Sequence, residues 1–313
     1  MPDDRELAAT GAAAELLADI TPGDAALSEE AVSLAVAGAR RRPLGIIFWL
    51  AVTWVGIVVI AAIFANLLPL AHPNFQNYSA INTGPSIHHL LGTDDLGRDL
   101  LSRLIFGARV SLVVGFGSIA IGMIVGGSAG LVSAYLGGGW DATMNGFAFV
   151  ILAFPQILAL IAITAFWGTA LWKITLIIGI GSIPLIFRVV RASTLAFVNR
   201  EFVVAARALG ASPARIIFRE LLPNVLPAAL SFAMIGVAGA IVLEGTLAFL
   251  GLSVPLPTPS WGNMIAEGST NGQLQQNIYI MLWPAISMFL LLLSINLIGD
   301  RLRQRFDVRE SLV

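Results

Sequence analysis

The chain has 313 residues, 57% of them hydrophobic and 12% charged, roughly half the charged share of an average soluble domain. A formal net charge of −1 excludes the general attraction to nucleic acid that a strongly basic chain would have. The absence of cysteine excludes disulfides, thiolate metal sites and cysteine nucleophiles.

Residues 1–39 are rich in alanine, with scattered acids (Asp3, Asp4, Glu6, Glu15, Asp19, Asp24, Glu29, Glu30) and few large apolar side chains. Nothing there can bury enough surface to offset chain entropy, so the stretch reads as a mobile tail with no catalytic role. The N-terminal run lacks the basic flank of a secretory signal, and the first apolar stretch, residues 44–70, is too long for a signal's apolar region, so it reads as a retained membrane helix.

After Arg40, Arg41 and Arg42, apolar segments lie near 44–70, 110–136, 144–167, 171–190, 225–250 and 278–298. A helix needs about 20 residues to cross a hydrocarbon core of about 30 Å, so about six transmembrane helices are expected. The fourth, bounded by Lys173 and Arg188, has the shortest uncharged interior and needs snorkelling ends to span. The signal is continuous apolar runs rather than alternation, so the fold class is an all-α integral membrane protein and not a barrel.

Charge sets the threading. With a cytoplasmic N-terminus, fourteen of the eighteen basic residues fall on the cytoplasmic side, leaving Arg98, Arg103, Arg109 and Lys173 opposite. The positive-inside rule therefore puts both termini in the cytoplasm. The expected organisation is a cytoplasmic tail over 1–39, a first membrane helix within 40–75, an extracytoplasmic segment over 76–109, a membrane core over 110–300 with a cytoplasmic loop at 196–223, and a cytoplasmic tail over 301–313.

Within the second span Ser118, Gly122, Gly126, Gly130 and Ala134 recur every four residues, a stripe on one helix face that lets another helix approach closely. Pro155, Pro184 and Pro284 should kink their spans. In the outer segment Asp94, Asp95, Arg98, Asp99 and Arg103 suit mutual pairing with some contact to a docking partner. His88 and His89 are adjacent, diverge on a helix and make a poor metal pair. Glu244, an isolated carboxylate toward the outer end of the fifth span, is a pathway or structural charge. Trp261, after Pro255, Pro257 and Pro259, has the character of an interfacial anchor.

The loop at 199–223 differs from its surroundings. Arg200, Arg207, Arg215 and Arg219 would each cost on the order of 3 kcal/mol at a bilayer centre, so one face must meet water. Phe202, Ala205, Ala206 and Leu209 follow helical spacing and predict an amphipathic helix ending at Gly210. Ser212 then reads as an N-cap with Pro213 at the first helical position of a second short helix, which carries Ile216, Ile217 and Leu221 before Pro223 and Pro227 mark entry into the fifth span. Such an element suits a groove on a cytoplasmic partner, and equally an anionic lipid surface.

Residues 201–224 resemble the EAA loop of binding-protein-dependent ABC-importer permeases, E-A-A-x-x-x-G-x9-I-x-L-P. Ala205, Ala206, Gly210, Leu222 and Pro223 match, while Val204 replaces the motif's leading Glu and Glu220 its Ile. The resemblance covers about residues 85–309. Residues 91–99 (LGTDDLGRD), 249–252 (FLGL), 259–262 (PSWG) and 296–300 (NLIGD) are similar to the C-type subunit of the dipeptide, oligopeptide and nickel permease group.

The resemblance implies a bacterial inner-membrane permease subunit, without enzymatic activity, that forms half of a translocation pathway for di- or oligopeptides. A nickel chelate or other small solute is the alternative, with an ion-coupled secondary transporter further off. Implied partners are a homologous second permease, two cytoplasmic ATPase subunits or domains that hold ATP and Mg, an extracytoplasmic substrate-binding protein and the bilayer, but no nucleic acid. No cofactor or metal is expected in this chain, which has no G-x-x-x-x-G-K-[ST] phosphate loop. The coupling contact is expected at Glu201, Ala205, Ala206, Arg207, Ala208, Leu209, Gly210, Ala211, Ser212 and Pro223.

Overall fold

The computed structural model describes residues 45–269 and 273–310. The tail expected over 1–39, the basic run Arg40 to Arg42 and the last three residues lie outside the described residues. Among the described residues there is no β-strand, only an isolated antiparallel bridge between Thr93 and Asp99.

Helix α1 (Ile46–Ile63) is apolar on all sides and buries only Ala51, Val58 and Ala62. At 1.5 Å per residue it is about 27 Å long, the thickness of a hydrocarbon core. Its last carbonyls are met by a cation: Arg109 donates from Nε to Ala62 O and from Nη2 to Ile63 O, both at 3.0 Å, which satisfies orphan acceptors where the helix dipole is negative.

Helix α2 (Leu100–Gly122) starts at Asp99, whose Oδ2 accepts from Ser102 N at 2.8 Å. It passes through a π turn at Met123–Gly127 into α3 (Ser128–Leu136), the three forming one 37-residue rod. Gly137, at φ +65°, ends it in the left-handed conformation that glycine adopts without penalty.

The third expected span is not one helix. α4 (Gly138–Ala153) and α5 (Gln156–Trp167) meet at 79° across Phe154 and Pro155. Pro155 removes a donor and disfavours a helical residue before it, so the kink expected there is a full break. α6 (Leu171–Phe197) runs past its basic residues for 27 residues with Pro184 inside. After α7 (Glu201–Ala208) and α8 (Pro213–Arg215), a second π turn at Ile216–Leu221 leads into α9 (Leu222–Phe249). α10 (Trp261–Ser269), α11 (Gln273–Gln276) and α12 (Tyr279–Glu310) complete the order. Among the described residues five helices are long and apolar enough to cross a bilayer, and six spans result if the bent α4–α5 pair counts as one.

The small-residue stripe is the seam between the α2–α3 rod and α6. A Cβ on Gly126 would lie 2.5 Å from Ile183 O, and one on Gly130 2.5 Å from Phe187 O. Ser118 Oγ donates across the seam to Thr175 O at 2.9 Å. Backbone-to-backbone contact of this kind needs glycine, and in lipid it is the van der Waals packing that holds helices together. Around the seam, Val114, Ile119, Ile174, Ile178, Ile241, Leu291 and Ile295 form the buried core.

Candidate functional site

The loop after α6 forms the two helical pieces expected, with one correction to the second. Val203 is fully buried and Ala206 partly so, in one cluster with Leu131, Tyr135, Ile216, Ile217 and Leu221. Phe202, Ala205, Ala208 and Leu209 are exposed instead. Leu209 is 89% exposed. Of the apolar series at 202, 205, 206 and 209, Ala206 turns toward the body, the other three form an outward apolar surface, and Val203 makes the main inner contact.

The correction concerns the second helix. Ser212 caps it as expected, its Oγ accepting from Arg215 N at 3.4 Å, with Pro213 in the first turn. It does not stop before the fifth span. Pro213–Phe249 is one continuous apolar rod of 37 residues. Pro223 can sit inside it because the turn ahead is wide: Leu222 N donates to Ile217 O, five residues back, and Asn224 Nδ2 donates to Glu220 O at 2.6 Å. The ring that would clash in a tight α turn is accommodated by the π turn.

Between the pieces Gly210 has φ +78°, where a side chain would be strained. Its N–H donates to Arg207 O and that of Ala211 to Ala206 O, both at 3.0 Å. Arg207 stands over the Tyr135 ring at 5.8 Å, near the end of α3. Close by, Arg191 of α6 pairs with Asp141 of α4; Asp141 was not among the residues singled out from sequence. The result is an exposed handle, apolar at Phe202, Val204, Leu209 and Phe218 and carrying exposed Arg200, Arg207, Arg215 and Arg219, seated on the helical body by Val203, Ile216 and Leu221.

Glu244 lies at the other end of the α9 rod and is completely buried. Ser253 and Ser260 donate to its Oε1 at 2.5 and 2.7 Å, and Ser111 reaches Oε2 at 3.5 Å. The carboxylate joins α2, α9 and the segment leading into α10. Trp261 is 1% exposed, and its Nε1 donates to Leu104 O at 2.9 Å. It is a core side chain rather than the interfacial anchor its type suggested, because α10 folds back into the helical body beside Glu244.

The mixed charges before α2 pair with one another. Asp94 Oδ2 holds Arg98 Nε at 2.5 Å and lies 3.4 Å from Arg103 Nε. Glu267 of α10, missed in the sequence, receives Arg103 Nη2 at 2.6 Å and Arg98 Nη2 at 3.4 Å. Burial pushes the Glu267 carboxyl above the usual glutamate range, and Arg103, then Arg98, pull against it. His89 Nδ1 lies 3.0 Å from Asp99 Oδ1, and among the described residues no group of three His, Cys, Asp or Glu could hold a metal.

These features fit what the comparisons find. Residues 118–311 match the family model "Binding-protein-dependent transport system inner membrane component". The glutathione transport system permease protein GsiD of Escherichia coli is 35% identical over 258 residues, covering 82% of this chain and 84% of that protein. Its namesake in Pectobacterium atrosepticum is 35% identical over 251 residues, covering 80% and 83%. An inward-facing structure of the MetNI methionine ABC transporter shares the fold, with a TM-score of 0.56 at 21% identity over 67% of this chain and 97% of that one. The chain belongs to the family of binding-protein-dependent transport-system inner-membrane components: it is a permease subunit of an ABC importer and not an enzyme.

Proposed function

We propose that this permease forms half of a translocation pathway for small peptides, and that the handle at 196–223 is where ATP hydrolysis on partner subunits is coupled to passage. The observation that carries the coupling reading is Leu209, an apolar side chain 89% exposed beside the Gly210 turn, on a helix whose opposite side is locked to the body by Val203. Exposed apolar groups ringed by arginines suit a protein groove better than water. Glu201, Ala205, Ala206, Arg207, Ala208, Leu209, Gly210, Ala211 and Ser212 form or border this surface, with Pro223 at the root of the rod behind it. Peptides are favoured as the solute by the likeness to glutathione permeases.

The assembly this implies has a homologous second permease, two ATPase subunits carrying ATP and Mg, and an extracytoplasmic binding protein. The handle and both termini lie in the cytoplasm, with 76–109 on the other side. Glu244, held by three serines, serves as a structural tie rather than a solute contact. In the coupling step, closure of the ATPases pushes the handle and shifts α6 and α9 between two packings.

The test is Leu209→Asp, which removes no buried contact. Reconstituted with its partners, the variant should insert and fold normally but lose at least tenfold in ATP-driven uptake, with weaker retention of the ATPase subunits on purification. Normal uptake by this variant overturns the coupling reading.

A further inference from the structure

The break between α4 and α5 leaves polar groups where lipid cannot satisfy them, and its depth follows from contacts along α6. Toward one end of α6, Arg191 pairs with Asp141 at the start of α4. Toward the other, Lys173 Nζ donates to the Trp167 carbonyl, at the end of α5, at 2.6 Å. Between them Gln156 lies against Gly181, where a Cβ would sit 3.0 Å from Gln156 Nε2. Along α6, Gly181 is about 15 Å from Arg191 and about 12 Å from Lys173 at about 1.5 Å per residue. That is the middle of a hydrocarbon core of about 30 Å.

At this depth the chain turns by 79°, and Phe154, Pro155 and Gln156 are all exposed. The Gln156 side-chain amide has no hydrogen-bond partner among the described residues. The backbone N–H groups of Gln156 and Ile157 are open as well, since the first bonds back to Pro155 O come from Leu158 at 3.0 Å and Ala159 at 3.2 Å. Irregular backbone and an unpaired amide persist at membrane mid-depth only where they meet protein or water. This chain does not cover them.

We propose that Gln156 faces the translocation pathway and hydrogen-bonds the passing solute. The inference rests on the reading of peptides as solute and deepens it. A primary amide offers two donors and an acceptor, which match the C=O and the N–H of a peptide bond, while Gly181 behind it leaves the side chain room to swing.

The experiment uses the assembled importer in proteoliposomes. Because the chain has no cysteine, Gln156→Cys places a unique thiol in this subunit. A charged, membrane-impermeant methanethiosulfonate should modify it at least tenfold faster than Ile57→Cys, which is exposed at mid-span on α1. Modification as slow as the control puts position 156 against lipid or against the second permease and overturns the proposal. In the second arm, Gln156→Leu should assemble in equal yield yet lower kcat/KM for uptake of labelled dialanine and glutathione about tenfold, the worth of one hydrogen bond. Unchanged uptake also overturns it. Should the unmutated importer take up neither peptide, the peptide reading fails, and the labelling arm still decides whether Gln156 faces the pathway.

Discussion

Arg191 grips Asp141 with both prongs of its guanidinium, Nε to Oδ1 at 2.6 Å and Nη2 to Oδ2 at 2.5 Å, while Ser133 donates to the same carboxylate at 2.8 Å. One aspartate thus ties α3, α4 and α6 together beside the handle. Fork-shaped pairs of this kind are the stronger ones. Asp141→Asn and Arg191→Gln should each destabilise the purified subunit, and a double-mutant cycle read by thermal unfolding in detergent should return a coupling of about 1–2 kcal/mol. Additive losses would show that the pair contributes nothing.

Gly126 and Gly139 make a contrasting pair. A methyl group on the first meets the Ile183 carbonyl, while nothing lies within 4 Å of the second. Gly126→Ala should cost about 1–3 kcal/mol, because backbone oxygen cannot step aside. Gly139→Ala should be neutral or slightly stabilising, since alanine favours the helix. Equal melting temperatures for the two variants would contradict the seam described between the α2–α3 rod and α6.

Glu244 is surrounded by hydroxyl groups rather than cations. Glu244→Gln keeps one oxygen for Ser253 and Ser260 and turns its amide toward Ser111, which can accept, so the loss should stay within about 1 kcal/mol. Glu244→Leu strands three serines and should cost about 2–4 kcal/mol, seen as low yield of folded subunit. A Gln variant that folds normally but transports nothing would instead make the carboxylate part of the pathway.

Glu267 gives the importer a pH signature. A glutamate whose folded value is raised contributes most to stability below its unfolded value of about 4.3 and loses that contribution as pH climbs through the raised one. The stability of the unmutated subunit, relative to Glu267→Gln, should therefore fall as pH rises above about 4.5. A difference that grows with pH would mean that Arg103 and Arg98 outweigh burial at this site.

What the sequence disclosed was local. Ser212, Pro213 and Gly210 act through their own backbone, so cap and turn are legible from the residues alone, and the four-residue glycine rhythm pointed to a tight seam. What it concealed was pairing at a distance. Asp141 and Glu267 look like ordinary surface acids until α6 and α2 bring arginines to them. Trp261 was read as a membrane anchor because only the fold reveals that α10 turns inward. The continuous rod behind Pro213 escaped for a related reason: proline signals the end of a helix unless a wide turn precedes it, and turn width has no clear sequence signature.

That wide turn has a mechanical corollary. A helix from Pro213 to Phe249 extends about 55 Å at about 1.5 Å per residue, with no loop in which a displacement could be absorbed. Whatever nudges Pro213 also nudges Glu244, about 46 Å away by the same rise, and with it the serines that hang on that carboxylate. Both ends of this helix are thus mounted on a single strut, and the little slack that exists lies in the loosened coil at Ile216–Leu221.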